Sequence, residues 1–156
     1  IMAASKASSL SYCAFQEPEP IFLIPKMMLV STYPLAGLDH RLLVVNVHMV
    51  NFTVTSEVVR KQLAEVTEII KKHDGPVIVA GDFNTWNSDR ESVVKGAMSR
   101  LNLLPVTFKP DNRSLFMSRT VDGIFYRGLE VTASNTHLVE SSDHNPLEVH
   151  FKLAEQ

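Results

Sequence analysis

Cysteine is almost absent from the 156-residue chain, since Cys13 is the only one. A single thiol excludes an intrachain disulfide and a metal cluster held by several thiolates. It is compatible with a reducing compartment, and we expect a cytoplasmic location on that basis.

The chain also lacks an excess of charge and any long apolar run. Fifteen lysines and arginines stand against 17 aspartates and glutamates, which gives a formal net charge of −2. This balance does not favour strong nonspecific binding to duplex DNA, although a local basic patch is compatible with it. We expect no membrane span, because no apolar stretch has the length that one requires. With 45% hydrophobic residues, the composition is that of one ordinary globular domain.

The first part of the chain is polar and proline-containing, and strand patterns follow it. Residues 1–25 are predicted to form an irregular lead-in, because the prolines within 17–20 disfavour regular structure. The domain itself is predicted over 26–156. Near-continuous apolar runs at 27–33 and 41–49 are typical of strands that are covered on both faces.

Two helices are predicted from apolar spacing. The first begins after Thr55 or Ser56 and ends before Gly75, and the second covers residues 89–101. The apolar stripe of the first helix consists of Val59, Leu63, Val66 and Ile70. Further strands are predicted at 76–80, 120–126, 129–132 and 147–153. Helices and strands alternate early and strands dominate late, which is typical of a mixed α/β (α+β) sandwich.

Four polar clusters each lie at the end of an apolar strand. They are residues 46–48 with Asn51, residues 81–84, residues 121–124 and residues 142–145. Polar side chains at strand ends can converge on one rim of a sheet. Carboxylates and carboxamides suit Mg²⁺ or Mn²⁺, which then pairs with substrate phosphate. The pattern therefore indicates phosphoryl transfer to water.

Each cluster also has a simpler interpretation when it is taken alone. Gly-Asp at 81–82 is commonly a turn, and a histidine such as His48 on an apolar strand is commonly a satisfied core residue. Asp122 can belong to a turn before an edge strand, and Asp143 with His144 to a turn before the last strand. All four interpretations holding at once, in this order, is much less probable than any one of them.

The order of the motifs resembles the endonuclease/exonuclease/phosphatase superfamily, which includes deoxyribonuclease I, and within it a bacterial subgroup similar to YafD. The matching segments are VVNVHMVNF at 44–52, PVIVAGDFNTW at 76–86, TVDGIFYRGLEV at 120–131 and SSDHNPLEVHF at 141–151. The resemblance covers residues 26–153.

This resemblance implies a deoxyribonuclease I-like β-sandwich flanked by helices, of which the chain holds the C-terminal sheet-plus-helices portion. The superfamily's N-terminal half supplies a principal metal-ligating glutamate, and no matching motif is present here. Glu17 in AFQEPEP is a weak substitute, because prolines follow it and a single strand separates it from His48. Together with a first residue that is Ile1 and not Met, this leads us to expect a longer natural protein. An uncovered sheet face would then favour self-association.

The resemblance assigns the GDFN motif to the scissile phosphate. Asp82 corresponds to the residue that orients or deprotonates the attacking water. Asn84 corresponds to the residue that holds the phosphate or a metal-bound water. Asp143 corresponds to a carboxylate near the metal, and Asp82 is a second candidate ligand for Mg²⁺ or Mn²⁺.

The same resemblance assigns the two histidines. His144 would contact the substrate phosphate, and Asp122 would hydrogen-bond this histidine and fix its tautomer. His48 corresponds to the other catalytic histidine, with Asn51 as a further phosphate contact.

The function predicted on this basis is metal-dependent hydrolysis of a phosphodiester or phosphomonoester by an activated water. The substrate class stays open between nucleic acid, a phospholipid headgroup and a small phosphate ester. One alternative is a phosphate-binding or structural module without catalysis, and another is an unrelated fold with coincidental motifs. Trp86 and Arg90 have two equal interpretations, as groove residues or as packing at a helix start. For Arg119 and Arg127, a solvated surface role is favoured over phosphate binding.

Overall fold

The computed structural model describes residues 6–20, 23–53 and 55–154. Within these ranges the chain forms ten strands and two helices. In chain order they are β1 (Ser9–Pro18), β2 (Pro25–Pro34), β3 (Arg41–His48), α1 (Glu57–Lys71), β4 (Val77–Asp82), α2 (Ser88–Arg100), β5 (Leu104–Pro105), β6 (Leu115–Phe116), β7 (Arg119–Thr120), β8 (Asp122–Arg127), β9 (Leu129–Thr136) and β10 (Leu147–Leu153).

The main sheet has six strands in the order β1-β2-β3-β4-β8-β5. Its neighbouring strands are antiparallel, except that β3 and β4 run parallel. A parallel pair needs a crossover connection, and α1 provides it. Two further antiparallel pairs, β9 with β10 and β6 with β7, complete the described strands. This is the mixed α+β arrangement that the sequence predicts.

Both helices pack on one face of the main sheet, and the apolar stripe predicted for α1 lies in the core. Val59, Leu63, Val66 and Ile70 are all buried. They share a hydrophobic cluster with Val45 and alternate residues of β3 and β4. This burial supplies the stability of a helix that has no side-chain hydrogen bond at its N-cap.

α2 begins where its local sequence favours a helix start. The side chain of Asn87 accepts a hydrogen bond from the backbone N–H of Arg90, which satisfies one of the free donors of the first turn. Val94 and Met98 face the core, as predicted. α2 therefore starts six residues after Asp82 and is anchored close to the GDFN segment.

The prediction of an irregular lead-in over residues 1–25 is wrong for Ser9–Pro18, which form β1. β1 pairs with β2 from Ser9 opposite Thr32 to Ala14 opposite Met27, and its register shifts before Pro18. β1 is the edge strand of the main sheet, where a proline at the strand end removes no required hydrogen bond.

The two faces of the main sheet differ in burial, which departs from the prediction of strands covered on both faces. On β3, Leu43, Val45 and Val47 are buried under the helices, whereas Leu42 and Val44 on the opposite face are half-buried. The β9–β10 pair covers part of that opposite face, where Tyr126 and Phe151 have ring centroids 5.3 Å apart. The part of this face that β1 forms is an open end, not covered by other elements of the described chain, since Leu10 is 51% exposed and Tyr12 is 70% exposed.

We expect the 156-residue chain to self-associate through this open end, because contiguous exposed apolar side chains favour burial against another surface. Sedimentation velocity should show a mass that rises with concentration. The double substitution Leu10→Ser with Tyr12→Ser should reduce that rise, whereas Leu138→Ser in the loop after β9 should not. A wild-type chain that stays monomeric at every concentration would contradict this expectation.

Neither helix within the described ranges combines the length and the apolar composition that a bilayer crossing requires.

Candidate active site

Three of the predicted site residues form a row across the sheet. His48 is the last residue of β3, Asp82 is the last residue of β4 and Asp122 is the first residue of β8. The register places His48 opposite Asp82, and Asp82 opposite Asp122. Because β3 and β4 are parallel and β8 is antiparallel to them, these ends meet at one edge of the sheet. The predicted convergence of these three residues is therefore present.

The GDFN segment has a backbone that its residue types permit. Gly81 has a φ of 139°, and a Cβ at this position would lie 2.0 Å from the carbonyl oxygen of Val47. Only glycine therefore allows β4 to approach β3 this closely. Asn84 has a φ of 51°, in the left-handed region that asparagine tolerates better than most residues.

Asn84 is buried and organises the Asp82 carboxylate. Its backbone N–H donates to Asp82 Oδ1 at 2.8 Å, and its side-chain Nδ2 donates to Asp82 Oδ2 at 3.1 Å. The same Nδ2 donates to the carbonyl oxygen of Met49 at 2.9 Å, which ties the loop after β4 to the loop after β3. Asp82 is thereby fixed as a hydrogen-bonded carboxylate at the sheet edge.

His48 is not a core histidine, because its side chain is 55% exposed. Its Nε2 lies 3.2 Å from Lys26 Nζ and 3.6 Å from Asp82 Oδ2. The lysine ammonium has only donors, so Nε2 accepts and the ring is neutral in this contact. Burial, followed by the charge of Lys26, lowers the pKa of His48, and the carboxylates of Asp82 and Glu19 act against that shift.

His144 forms the second half of the site. Its Nδ1 lies 2.7 Å from Asp122 Oδ2, so the loop before β10 brings this imidazole to the row on the sheet. The hydrogen bond that His144 Nδ1 donates to the Asp122 carboxylate raises the pKa of His144, with smaller contributions from the charges of Asp82 and Asp143. Asp122 is the first residue of a strand, and not part of the turn of the simpler interpretation. The surroundings of His48 therefore favour its neutral form, and those of His144 favour its charged form. Such a difference in pKa between two nearby groups is typical of acid–base sites.

The His144–Asp122 pair gives a pH-dependent prediction. Because the pKa of His144 in the folded chain is raised above 6.5, its pairing with Asp122 stabilises the fold fully below about pH 6.5, as long as Asp122 stays ionised. This contribution disappears as the pH rises through the raised value. Asp122→Asn should lower the His144 pKa in an NMR titration, and Glu148→Gln, which removes a carboxylate beside His137 and His150, should leave it unchanged. An unaltered His144 pKa in Asp122→Asn would contradict the assignment.

Two further predicted residues, Asn51 and Asp143, have fewer fixed contacts. Asn51 follows β3, and its Oδ1 accepts a hydrogen bond from the backbone N–H of Phe52 at 2.8 Å. Asp143 is exposed beside His144 and acts on it through its charge. Within the described ranges, no three His, Cys, Asp or Glu side chains are grouped closely enough to hold a metal ion. The predicted ligands Asp82 and Asp143 therefore lack a third such partner there.

Other candidates have structural contacts. Glu17 accepts from Lys61 Nζ on α1 at 2.8 Å. Arg127 donates to the carbonyl oxygens of Leu101 and His73, which lie near the helix C-termini. Arg119 pairs with Glu91.

Two contributors to the site are not evident from the sequence motifs, and a third, Arg90, has two equal interpretations there. Lys26 is the second residue of β2, and the pairing of β2 with β3 brings it to His48. Glu19 is 3% exposed and lies in the proline-containing segment. Arg90 is fully buried and donates to the Asn84 carbonyl oxygen at 2.8 Å, to Thr53 Oγ1 at 2.6 Å and to the Val50 carbonyl oxygen. In the sequence, only its position six residues after Asn84, at a predicted helix start, indicates that Arg90 lies close to the site.

The motifs and this geometry place the chain in a known class. Residues 10–144 match the model of the Endonuclease/Exonuclease/phosphatase family, and the chain belongs to this family. Its fold is the α+β fold of that group, as predicted.

Among individual relatives, the chain is 38% identical over its full length to a UPF0294 protein of Vibrio campbellii, covering 55% of that protein. It is 41% identical over 97% of its length to a UPF0294 protein of Klebsiella pneumoniae, covering 57% of it. The chain thus spans about half the length of these curated relatives. Among solved structures, the mannosyl-6-phosphatase Bt3783 of Bacteroides thetaiotaomicron superposes with a TM-score of 0.65 at 16% identity, over 95% of this chain and 67% of that one.

Proposed function

We propose that the chain carries the water-activating and phosphate-binding half of a metal-dependent phosphoester hydrolase. Family membership supports a phosphoesterase in general terms. The observation that carries the proposal is the row of His48, Asp82 and Asp122 at one sheet edge, with His144 held against Asp122 at 2.7 Å.

Asp82 is the proposed base for water. Both of its oxygens already accept hydrogen bonds from Asn84, which holds the carboxylate in one orientation. A carboxylate oxygen retains a further lone pair that can accept a proton from water. The water oxygen then forms a bond to phosphorus, its proton passes to Asp82, and the bond to the ester oxygen breaks.

His144 is the proposed phosphate contact. Since Nδ1 is occupied by Asp122, Nε2 remains as the donor toward a phosphate oxygen. The raised pKa of His144 favours the imidazolium, which stabilises negative charge that develops on the phosphate. Asn51 is proposed to contribute a further contact to the phosphate.

His48 is proposed to work as a neutral imidazole. Its lowered pKa and its contact with Lys26 favour that form at neutral pH. A neutral imidazole next to Asp82 can relay a proton between this carboxylate and the leaving oxygen. Lys26 places a positive charge at the same edge of the sheet and would attract the anionic substrate.

Mg²⁺ or Mn²⁺ is proposed as the cofactor. The oxygen donors of Asp82 and Asp143 fit such an ion, which commonly binds through one or two carboxylates plus water and substrate phosphate. When bound, it would supply charge neutralisation on the phosphate. In the part of the chain that the structure describes, no three His, Cys, Asp or Glu side chains are grouped closely enough to hold the ion, so water, substrate phosphate or residues outside that part would supply the remaining ligands.

The proposal is tested by titrating Mg²⁺ and Mn²⁺ against hydrolysis of bis(p-nitrophenyl) phosphate and p-nitrophenyl phosphate. The 156-residue chain is compared with a version extended to about the length of its relatives. We expect metal-dependent turnover by the longer protein and weaker or no turnover by the short chain. No turnover by either protein, with any metal, would contradict the proposal.

A phosphate-binding module without catalysis is the second candidate, and the incomplete set of metal ligands within the described residues favours it. It predicts that inorganic phosphate shifts the NMR signals of His144 in both versions while neither hydrolyses ester. The hydrolase proposal predicts the same shifts together with turnover.

A further inference from the structure

An apolar cavity lies beside the site and plays no part in the proposed chemistry. Its lining consists of Phe52, Thr53, Trp86, Phe116 and Met117, and its volume is about 220 Å³. An apolar cavity of about 150 Å³ accommodates benzene, so this one can hold a single planar ring system.

The cavity is built from the two loops that carry the site. Phe52 directly follows Asn51, and Trp86 lies two residues beyond Asn84. Arg90 joins both loops, because it donates to the carbonyl oxygens of Asn84 and Val50 and to Thr53. A group bound in the cavity would therefore lie next to a phosphate held at the site.

Three apolar side chains of the cavity are exposed to solvent, which is unfavourable in free energy. Phe52, Phe116 and Met117 are 46%, 42% and 68% exposed. Phe52 and Met117 have φ values of 51° and 49°, in the left-handed region that bulky residues seldom adopt. Met117 and Ser118, which both have positive φ, form the turn between β6 and β7 that presents Phe116. Exposed apolar side chains and unfavourable backbone conformations at the rim of a site indicate binding of a ligand.

Trp86 adds a specific polar feature to the aromatic walls. The guanidinium of Arg90 lies 5.2 Å from the centre of its ring. Its Nε1 is buried and has no hydrogen-bond partner in the described part of the chain. A buried indole N–H normally finds an acceptor. A ligand with a planar face would stack against these aromatic walls.

We propose that this cavity is a subsite for the nucleobase of a nucleotide or single-stranded nucleic-acid phosphoester. This inference rests on the proposed function for the position of the phosphate. Aromatic stacking supplies base affinity with little sequence preference. A lipid surface fits the patch less well, because interfacial binding uses free basic side chains around the apolar residues. Here the nearby Arg119 and Arg60 pair with Glu91 and Asp89.

Trp86 is the only tryptophan of the chain, so its fluorescence reports on this cavity alone. The 156-residue chain is titrated in EDTA with adenosine 5′-monophosphate and with ribose 5-phosphate, which carries the same phosphate without a base. We expect saturable quenching by the nucleotide and little response to the sugar phosphate.

Phe52→Leu and Phe116→Leu keep apolar bulk and remove the aromatic face. Each should raise the Kd for adenosine 5′-monophosphate by about fivefold or more. Leu138→Ala changes an exposed leucine outside the cavity and should leave the Kd unchanged.

The binding titration separates this inference from the proposed hydrolysis. Variant-sensitive quenching without ester hydrolysis would support the subsite and count against the enzyme. Hydrolysis without any nucleotide-induced quenching would overturn the subsite alone. A blue shift of Trp86 with phosphatidylcholine–phosphatidylglycerol vesicles, together with no response to the nucleotide, would also overturn it in favour of a lipid surface.

Discussion

Replacing Asp82 with asparagine is expected to lower kcat for phosphoester hydrolysis by about 10²- to 10⁴-fold, the range that general-base catalysis contributes. An asparagine at this position keeps the shape of the side chain but cannot accept a proton from water. The change also leaves a single acceptor oxygen for the two hydrogen bonds from Asn84. His144→Ala should lower kcat within the same range, because the phosphate would lose its cationic donor.

The matched control is Asp39→Asn. Asp39 is exposed and lies before β3 begins, at the sheet edge away from His48. Asp39→Asn removes the same negative charge from the chain as Asp82→Asn and should leave kcat unchanged. Circular dichroism checks that each variant is folded. Wild-type rates in either Asp82→Asn or His144→Ala would show that the assigned roles are wrong.

Arg90→Met is expected to cost about 3 kcal/mol or more in the free energy of unfolding. Arg90 is fully buried and makes three hydrogen bonds to the two loops of the site. Methionine retains the apolar stem but leaves buried carbonyl oxygens of Asn84 and Val50 without a donor, at about 1–3 kcal/mol each. Burial lowers the pKa of Arg90 to about 10, with the charge of Asp82 acting in the opposite direction, so the guanidinium is charged at neutral pH.

Urea unfolding measures this loss, and Arg100→Met is the control. Arg100 is exposed at the end of the same helix and should change stability by no more than about 0.5 kcal/mol. The rate of hydrolysis by Arg90→Met is also measured at urea concentrations at which this variant is still folded. A rate lower than that of the wild type would show that Arg90 also positions the loops. Equal unfolding midpoints for Arg90→Met and wild type would contradict the structural role.

The helices and the site-bearing strand ends could be predicted because their signals are local. The stripe from Val59 to Ile70 fixes the buried face of α1, and Asn87 fixes the start of α2. The motifs at 46–48 and 81–84 end parallel strands, so their meeting at one edge follows from the topology.

β1 could not be predicted because its formation depends on pairing with β2, and the prolines near its end suggested irregular structure. Lys26 and Glu19 could not be predicted for a related reason. Each lies outside a motif, and each acts on His48 only because the fold brings separate segments together. The sequence does not decide the role of Arg90, because a charged residue at a helix start is usually exposed.

The predicted roles of Asn51 and Asp143 remain predictions. Asn51 contacts the backbone of Phe52, and Asp143 acts on His144 through its charge. The cofactor is likewise a proposal, since ligands beyond Asp82 and Asp143 lie outside what the described residues provide.

Hydrolysis in ¹⁸O-labelled water tests the central claim most directly. A version of the protein extended to about the length of its relatives is incubated with Mg²⁺ and a phosphodiester, and the products are analysed by mass spectrometry. The mechanism around Asp82 and His144 predicts one ¹⁸O atom in the phosphate product of a single turnover and none in the released alcohol. Label in the alcohol, or the absence of turnover under every metal, would contradict it.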